Sequence, residues 1–284
     1  MKLKNQTGQI FIPDQTEQEQ AIKRTTHMAI AAHQDDIEIM AYHGIVKCFQ
    51  SQDNHFFGCV VTNGSGSARD HIYKDYTDEE MIEVRKTEQK KAAYLGEFGG
   101  LALLDYPSKV VKDKEDKSVI EELKKLLTLA QPKILYTHNL ADKHDTHIGV
   151  VTKVIKAIRL LPKEQRPEQV LGCEVWRNLD WVNDDEKVYL DVSEHPNLAS
   201  SLVEIFDSQI IGGKRYDLAT IGRRLANATF NASHEVDETT ALTYAIDLTP
   251  LIQDDTLDIK SFISDYIFRF QQDVIARILK VSDE

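Results

Sequence analysis

A short apolar run, His27-Met28-Ala29-Ile30-Ala31-Ala32, empties directly into His33-Gln34-Asp35-Asp36. Too short for a helix and without polar alternation, such a run reads as a strand buried on both faces, the habit of a parallel sheet. Residues just past the carboxyl end of a strand of this kind face the crevice in which open α/β sheets bind ligands. A histidine and two carboxylates placed there lose hydration unless something cationic or hydrogen-bonding compensates them, and a divalent metal does so most directly.

A second apolar run, Ile134-Leu135-Tyr136-Thr137, leads into a polar loop ending His144-Asp145-Thr146-His147. If the two strands share a sheet, both loops open on one edge, and His33, Asp36 and His147 converge on one cation. Two imidazoles and a carboxylate with an open position suit catalytic Zn²⁺, and Fe²⁺ or Mn²⁺ are compatible with the same donors. The spacing leaves alternatives: a non-haem iron oxygenase using His33, Asp35 and His147, a metal-dependent phosphoesterase, or a non-catalytic sugar-binding module. Iron triads usually sit on β jelly rolls, to which the strand-helix alternation of this chain is foreign.

Strands near 27–32, 56–62, 101–104 and 133–137 are separated by helical stretches at 37–49, 78–95 and 117–130, a βαβ rhythm that implies a mostly parallel sheet with right-handed crossovers. A helix follows from 147 to 160, then a charged turn at 162–167, strands at 171–177 and 187–192, and helices at 196–208 and 217–228. Residues 1–25 read as a polar arm. The last helix, 258–281, carries Phe262, Ile263, Tyr266, Ile267, Phe270, Val274 and Ile278 on one broad face. Packing of that face on its own domain is the preferred reading, with an oligomer seam as the lesser one. No repeat, linker or low-complexity stretch divides the 284 residues, so one domain over 1–284 is expected.

The formal net charge of -12 argues against nucleic acid or an anionic membrane surface as partner. No apolar N-terminal segment follows Met1 and no run of about 18 apolar residues occurs, so a soluble, cytoplasmic protein is expected. Cys48, Cys59 and Cys173 are odd in number and lack Cys-x-x-Cys spacing, which suggests buried, reduced thiols. Late in the chain, Gly212-Gly213-Lys214-Arg215 and Gly222-Arg223-Arg224 gather basic side chains beside glycines, and Arg223 is a candidate clamp for a substrate anion. Asn63-Gly64-Ser65-Gly66-Ser67 is a glycine-rich loop after a strand but lacks the spacing of a dinucleotide fingerprint.

At its two histidine loops the chain resembles the PIG-L, or LmbE-like, deacetylases. Their pattern is Ala-His-Pro-Asp-Asp-Glu early and His-Pro-Asp-His or His-Pro-x-His later. Here it reads Ala32-His33-Gln34-Asp35-Asp36-Ile37 and His144-Asp145-Thr146-His147. Arg85-Lys86-Thr87-Glu88 is similar to the family's Arg-x-x-Glu helix, and Val61-Thr62-Asn63-Gly64 to its post-strand turn. The resemblance implies a Rossmann-like three-layer α/β fold and a small-molecule amino-sugar conjugate that loses its N-acetyl group. It also implies His33, Asp36 and His147 as metal ligands, Asp35 as general base, and His144 as acid or oxyanion stabiliser. Arg85, Asn63, Asp142 and Arg223 are then the candidate substrate contacts. Three departures stand out: Gln34 replaces proline, Ile37 a frequent glutamate, and Thr146 the aspartate that orients the catalytic histidine, a task open to Asp145 or Asp142. The chemistry is that of amide hydrolysis. A metal brings the pKa of bound water toward roughly 7. Asp35 takes the proton and returns it to nitrogen. An imidazolium at His144 stabilises the oxyanion, a contribution of about 3 to 4 kcal/mol for a well-placed donor.

Overall fold

All five residues of His27–Ala31 are buried, yet the strand keeps its period of two. Met28 and Ile30 enter one hydrophobic core and Ala29 and Ala31 another. Two cores on opposite faces of one sheet make a three-layer sandwich. The structure, a computed structural model, describes residues 1–282. Its eight strands are β1 (Gln9–Phe11), β2 (His27–Ala31), β3 (Phe56–Thr62), β4 (Gly100–Tyr106), β5 (Ile134–His138), β6 (Gln169–Cys173), β7 (Val188–Asp191) and β8 (Leu242–Asp247). They lie in the order β1-β4-β3-β2-β5-β6-β8-β7. Pairing is parallel throughout β4-β3-β2-β5-β6 and antiparallel where β1 joins β4 and where β8 joins β6 and β7. This is the mostly parallel, helix-flanked, Rossmann-like sheet expected.

One face is covered by helices Ser118–Ala130 and Asp145–Arg159, whose Leu123, Leu126, Leu127, Val150, Val151 and Val154 are fully buried. The other carries Asp36–Met40, Tyr42–Cys48, Asp78–Leu95 and Pro196–Glu204. Helix Asp78–Leu95 starts on a capping box, in which Thr77 accepts from the Glu80 N–H while the Glu80 side chain takes the Thr77 N–H. Its inner face is unusual in burying Arg85, Lys86, Glu88 and Gln89.

Some boundaries differ from the sequence expectation. Residues 1–25 are not a bare arm, because β1 pairs with β4 and Gln18–Lys23 forms a helix that buries Ala21 and Ile22. Three residues at a sheet edge leave too little alternation to recognise. The helix expected over 37–49 is two helices, broken where Ala41 leaves helical geometry (φ -115°, ψ 20°). Strand β8 and the short helices Ser108–Lys112 and Thr249–Gln253 were not anticipated. Among the described residues, no helix is long and apolar enough to cross a membrane.

Gly44 shows how tightly the helix after the first polar loop sits on the sheet. A Cβ added there would lie 2.5 Å from the Tyr136 ring and 3.0 Å from the Phe56 ring. Gly44→Ala is expected to destabilise the protein by roughly 1–3 kcal/mol through overpacking. Urea unfolding measures this, and an unchanged midpoint would show that the helix has room to shift.

Candidate metal centre and its cavity

Because β2 and β5 are direct neighbours, with His27 opposite Ile134 and Ala29 opposite Tyr136, the loops that leave them emerge side by side. His33 Nδ1 lies 3.2 Å from Asp36 Oδ2 and 3.2 Å from His147 Nε2, and the third edge, His147 Nε2 to Asp36 Oδ2, is 3.3 Å. Ligand atoms held tetrahedrally at about 2.0–2.1 Å from Zn²⁺ sit about 3.3 Å apart, so the triangle has the size of one face of such a site. Asp36 Oδ2 also accepts the His33 N–H at 2.7 Å. Asp142 Oδ2 is 3.1 Å from His147 Nδ1, which holds a proton on Nδ1 and aims Nε2 at the triangle. Behind it His138, fully buried, stacks on His147 with centroids 3.8 Å apart and accepts the Ala32 N–H at Nε2. His138, Asp142 and His147 form a second cluster with ligand-type atoms. That cluster is wholly buried, with His147 Nδ1 bonded to Asp142 and His138 Nε2 to the Ala32 N–H, whereas the first opens onto a cavity.

The charges follow from burial and contact. Burial alone would raise the Asp36 carboxyl, but His147, and then His33 and His138, hold it well below the usual carboxylate range. Burial disfavours a charged His147, yet Asp36 and Asp142 push it up to about 9. His144 goes the other way: burial first, then the positive fields of His147 and His33, push it down to about 4. Its Nδ1 accepts the Thr146 N–H at 3.3 Å, so the neutral ring carries its proton on Nε2. The sequence led to an imidazolium here; burial and the neighbouring positive charge favour the neutral ring.

Asp35 sits at φ +92°, a backbone region costly for a residue with a side chain. It is held from two sides. Gln89 Oε1 accepts its N–H at 3.2 Å, and Arg85 Nη2 donates to its Oδ2 at 3.0 Å and to the Gln34 carbonyl. Burial raises the Asp35 carboxyl to about 6, against the pull of Arg85. Arg85 is itself buried, with Nη1 3.4 Å from Glu88 Oε2, and Glu88 takes both the N–H and the hydroxyl of Ser208 at 2.7 Å. Gln34, in place of the expected proline, ties the loop to β3 through a 3.0 Å bond from Nε2 to the Thr62 carbonyl. Gly64 (φ +74°) lies against it, where a Cβ would come within 2.5 Å of Gln34 Oε1.

The cavity over this centre has a volume of about 510 Å³. His33, Asp35, Asp36, Arg85 and His144 line it with Gly64, Gly66 and Ser67, and Trp176, Tyr216, Lys112 and Lys214 complete it. Trp176 is 6.1 Å from the His144 ring and 6.1 Å from the Tyr216 ring, with Lys214 Nζ 5.1 Å over its face. Three expected substrate contacts are not on the lining. Asn63 Oδ1 accepts the Ser65 N–H and shapes the turn. Asp142 lies beneath His147, and Arg223 Nη1 donates to the Val175 carbonyl at 2.5 Å. Lys214, from the basic segment noted in the sequence, does reach the lining, whereas Trp176, Tyr216 and Gln89 were missed; Trp176 lies three residues past the end of β6, where the rule that singled out His33 could have found it. The three cysteines are free and buried, as expected. A larger groove of about 710 Å³, lined by Tyr73, Tyr76, Glu83 and Asp207, contains none of the ligand-type clusters.

Residues 28–158 match the PIG-L family, described as GlcNAc-PI de-N-acetylase. The matched segment contains β2 through β5 and both histidine loops, and everything from Val175 onward that lines the cavity lies outside it. The whole sheet is similar to solved structures. N,N′-diacetylchitobiose deacetylase from Pyrococcus horikoshii, complexed with its inhibitor MPG, aligns at 15% identity over 83% of this chain and 88% of its own, with a TM-score of 0.63. GalB, the 4-carboxy-2-hydroxymuconate hydratase from Pseudomonas putida KT2440, aligns at 16% identity over 79% and 96%, TM-score 0.59. The zinc-inhibited form of teicoplanin deacetylase Orf2 aligns at 13% identity over 79% and 98%, TM-score 0.57. At such identities the likeness is one of fold, and a hydratase beside two deacetylases shows that this fold serves more than one reaction. No curated protein matches the sequence significantly.

Glu38 buttresses the centre in a way that depends on pH. It is fully buried; Oε1 accepts from Gln89 Nε2 at 2.7 Å and Oε2 has no partner. Burial holds its carboxyl well above the ordinary value of 4.5. The unfolded chain ionises Glu38 above that value while the folded chain resists, so the stability linked to it is present at lower pH and lost as pH rises. Glu38→Gln keeps the Oε1 acceptor and removes the titration. The variant should match the parent near pH 4 and exceed it increasingly toward pH 8 in urea unfolding, and a pH-independent difference would refute the protonated assignment.

Proposed function

We propose that this protein is a metal-dependent hydrolase that removes the N-acetyl group from an N-acetylglucosamine-type conjugate, with Zn²⁺ as the preferred ion and Fe²⁺ or Mn²⁺ as substitutes. The observation that carries the reading is the 3.2–3.3 Å donor triangle of His33, Asp36 and His147 at a cavity floor, flanked by Asp35 and His144. The PIG-L match over 28–158 and the fold shared with the chitobiose and teicoplanin deacetylases support it. A cation held by the triangle would acidify a coordinated water and polarise the acyl oxygen. Arg85 binds Asp35 Oδ2 and leaves Oδ1 without a protein partner, free to take the proton of the attacking water and pass it to the departing nitrogen. His144 offers its Nε2–H to the acyl oxygen as charge develops there. Trp176 supplies a flat apolar wall for a pyranose, and Tyr216 a hydroxyl beside it.

The oxygenase alternative needs Asp35 in the ligand set. Its carboxylate is bound to Arg85, and Asp36 holds the third corner of the triangle, which argues for the hydrolase.

The decisive experiment incubates the protein with a panel of N-acetylglucosamine conjugates and assays released acetate and primary amine together. Appearance of both in equal amounts is expected, and neither appearing with any metal would refute the reading. Asp35→Asn should retain metal and lose about 100-fold or more in kcat. His33→Ala, Asp36→Ala and His147→Ala should lose metal by elemental analysis, whereas full occupancy in all three would refute the ligand set. Asp142→Ala, which frees the His147 ring, should weaken metal binding about 10- to 100-fold in a competition titration.

A further inference from the structure

The long helix Ile259–Val281 meets the body along one edge only. Phe262 is its single buried residue; Ile263 and Tyr266 pack partly on the core, Phe270 meets Trp181 at 6.1 Å, and Arg269 pairs with Glu186 at 2.5 Å. The opposite edge carries Ile267, Phe268, Ile275, Ile278 and Leu279, each between 42% and 62% exposed. Along that edge Phe268, Gln271, Ile275 and Ile278 follow one another at intervals of three and four, the repeat by which one helix packs against another.

We propose that the protein is a two-fold homodimer in which this helix packs antiparallel against its counterpart in a second copy. The area argues for it. With Phe270, Val274 and Val281 included, the helix leaves roughly 800 Å² open on its apolar residues, about the share one partner gives to a standard stable interface and more than the largest apolar patch of a typical monomer. The charges argue for a protein rather than a lipid surface. Arg269 is held by Glu186 and lies 4.7 Å over the Tyr266 ring, and Arg277 is held by Asp273, so the arginines turn away from the apolar edge instead of framing it. Self-pairing is electrostatically allowed. A register that sets Phe268 of one copy against Ile278 of the other brings Gln271 against Ile275 and Gln272 against Val274 near the two-fold axis, and the like charges it opposes, Asp273 with Asp273 and Arg269 with Arg277, are each paired within their own copy. No residue of the cavity lining lies on this helix, so assembly and chemistry are separable.

Sedimentation velocity of the full chain at tens of micromolar should give twice the 32.4 kDa chain mass. Phe268→Glu combined with Ile275→Glu should raise the dimer dissociation constant at least ~100-fold, with unchanged melting and unchanged metal content. Phe268→Cys combined with Ile278→Cys should cross-link into a covalent dimer under mild oxidation, a clean signal because the native cysteines are buried. A single-chain mass for the parent protein overturns the proposal. So does a dimer that the double glutamate variant leaves intact or that the Phe268→Cys, Ile278→Cys pair does not cross-link. Co-sedimentation of a monomer with phosphatidylglycerol vesicles would instead assign the face to lipid and equally overturn it.

Discussion

Three ladder positions between β2 and β5, from His27 opposite Ile134 to Ala29 opposite Tyr136, set where every polar group of the cavity can be. The chain runs from β2 outward through β3 and β4 to one side of the sheet, then returns to lay β5 on β2's other edge. That reversal is where a parallel sheet leaves a crevice at its carboxyl ends. His33 and Asp36 leave from one lip and His147 from the other. A register slip of one residue would turn every side chain of β5 to the opposite core and separate the two donor sets. The buried runs of both strands make such a slip expensive, since Met28, Ile30 and Leu135 belong to one core and Ala29 and Tyr136 to the other.

Around that frame the molecule buries an unusual amount of charge, and it does so in chains rather than pairs. Arg85 is placed between Asp35 and Glu88; Glu88 is anchored by Ser208, far away in sequence; Gln89 joins the Asp35 backbone to Glu38. Each link answers part of the desolvation cost of the next. The strained backbone of Asp35 survives because its N–H, its carboxylate and the preceding carbonyl are all held. Such a network fixes the carboxylate before any ligand arrives, which is what electrostatic catalysis requires of its groups.

The parts of this arrangement that could be read from sequence are those with a local signature. The strands with continuous apolar runs, helix Asp78–Leu95 with its Thr77/Glu80 cap, and the His33–Asp36 and His144–His147 loops carry their periodicity or spacing within a few residues. What escaped depends on pairing at a distance. β1 is three residues long and exists only because the edge of β4 accepts it. Asp142 was open to two readings, substrate contact or histidine orienter, and only the turn of the chain puts it under His147 rather than His144. Arg223 reads as a free clamp until the Val175 carbonyl is seen to hold it. Trp176, Lys214 and Tyr216 come from two separate loops whose meeting no spacing encodes.

The boundary at residue 158 divides the molecule by task. His33, Asp35, Asp36, Arg85, His144 and His147 lie before it, on loops and helices anchored to the strands at the centre of the sheet, while Val175, Trp176, Gln209, Lys214 and Tyr216, on the remaining wall, come after it on loops and helix ends. Side chains on such connections can be exchanged without disturbing the packed strands. The consequence is evolvability: the segments near 175 and 209–216 form a face on which new ligand contacts can be selected one substitution at a time, while the groups at the cavity floor stay where the sheet has put them.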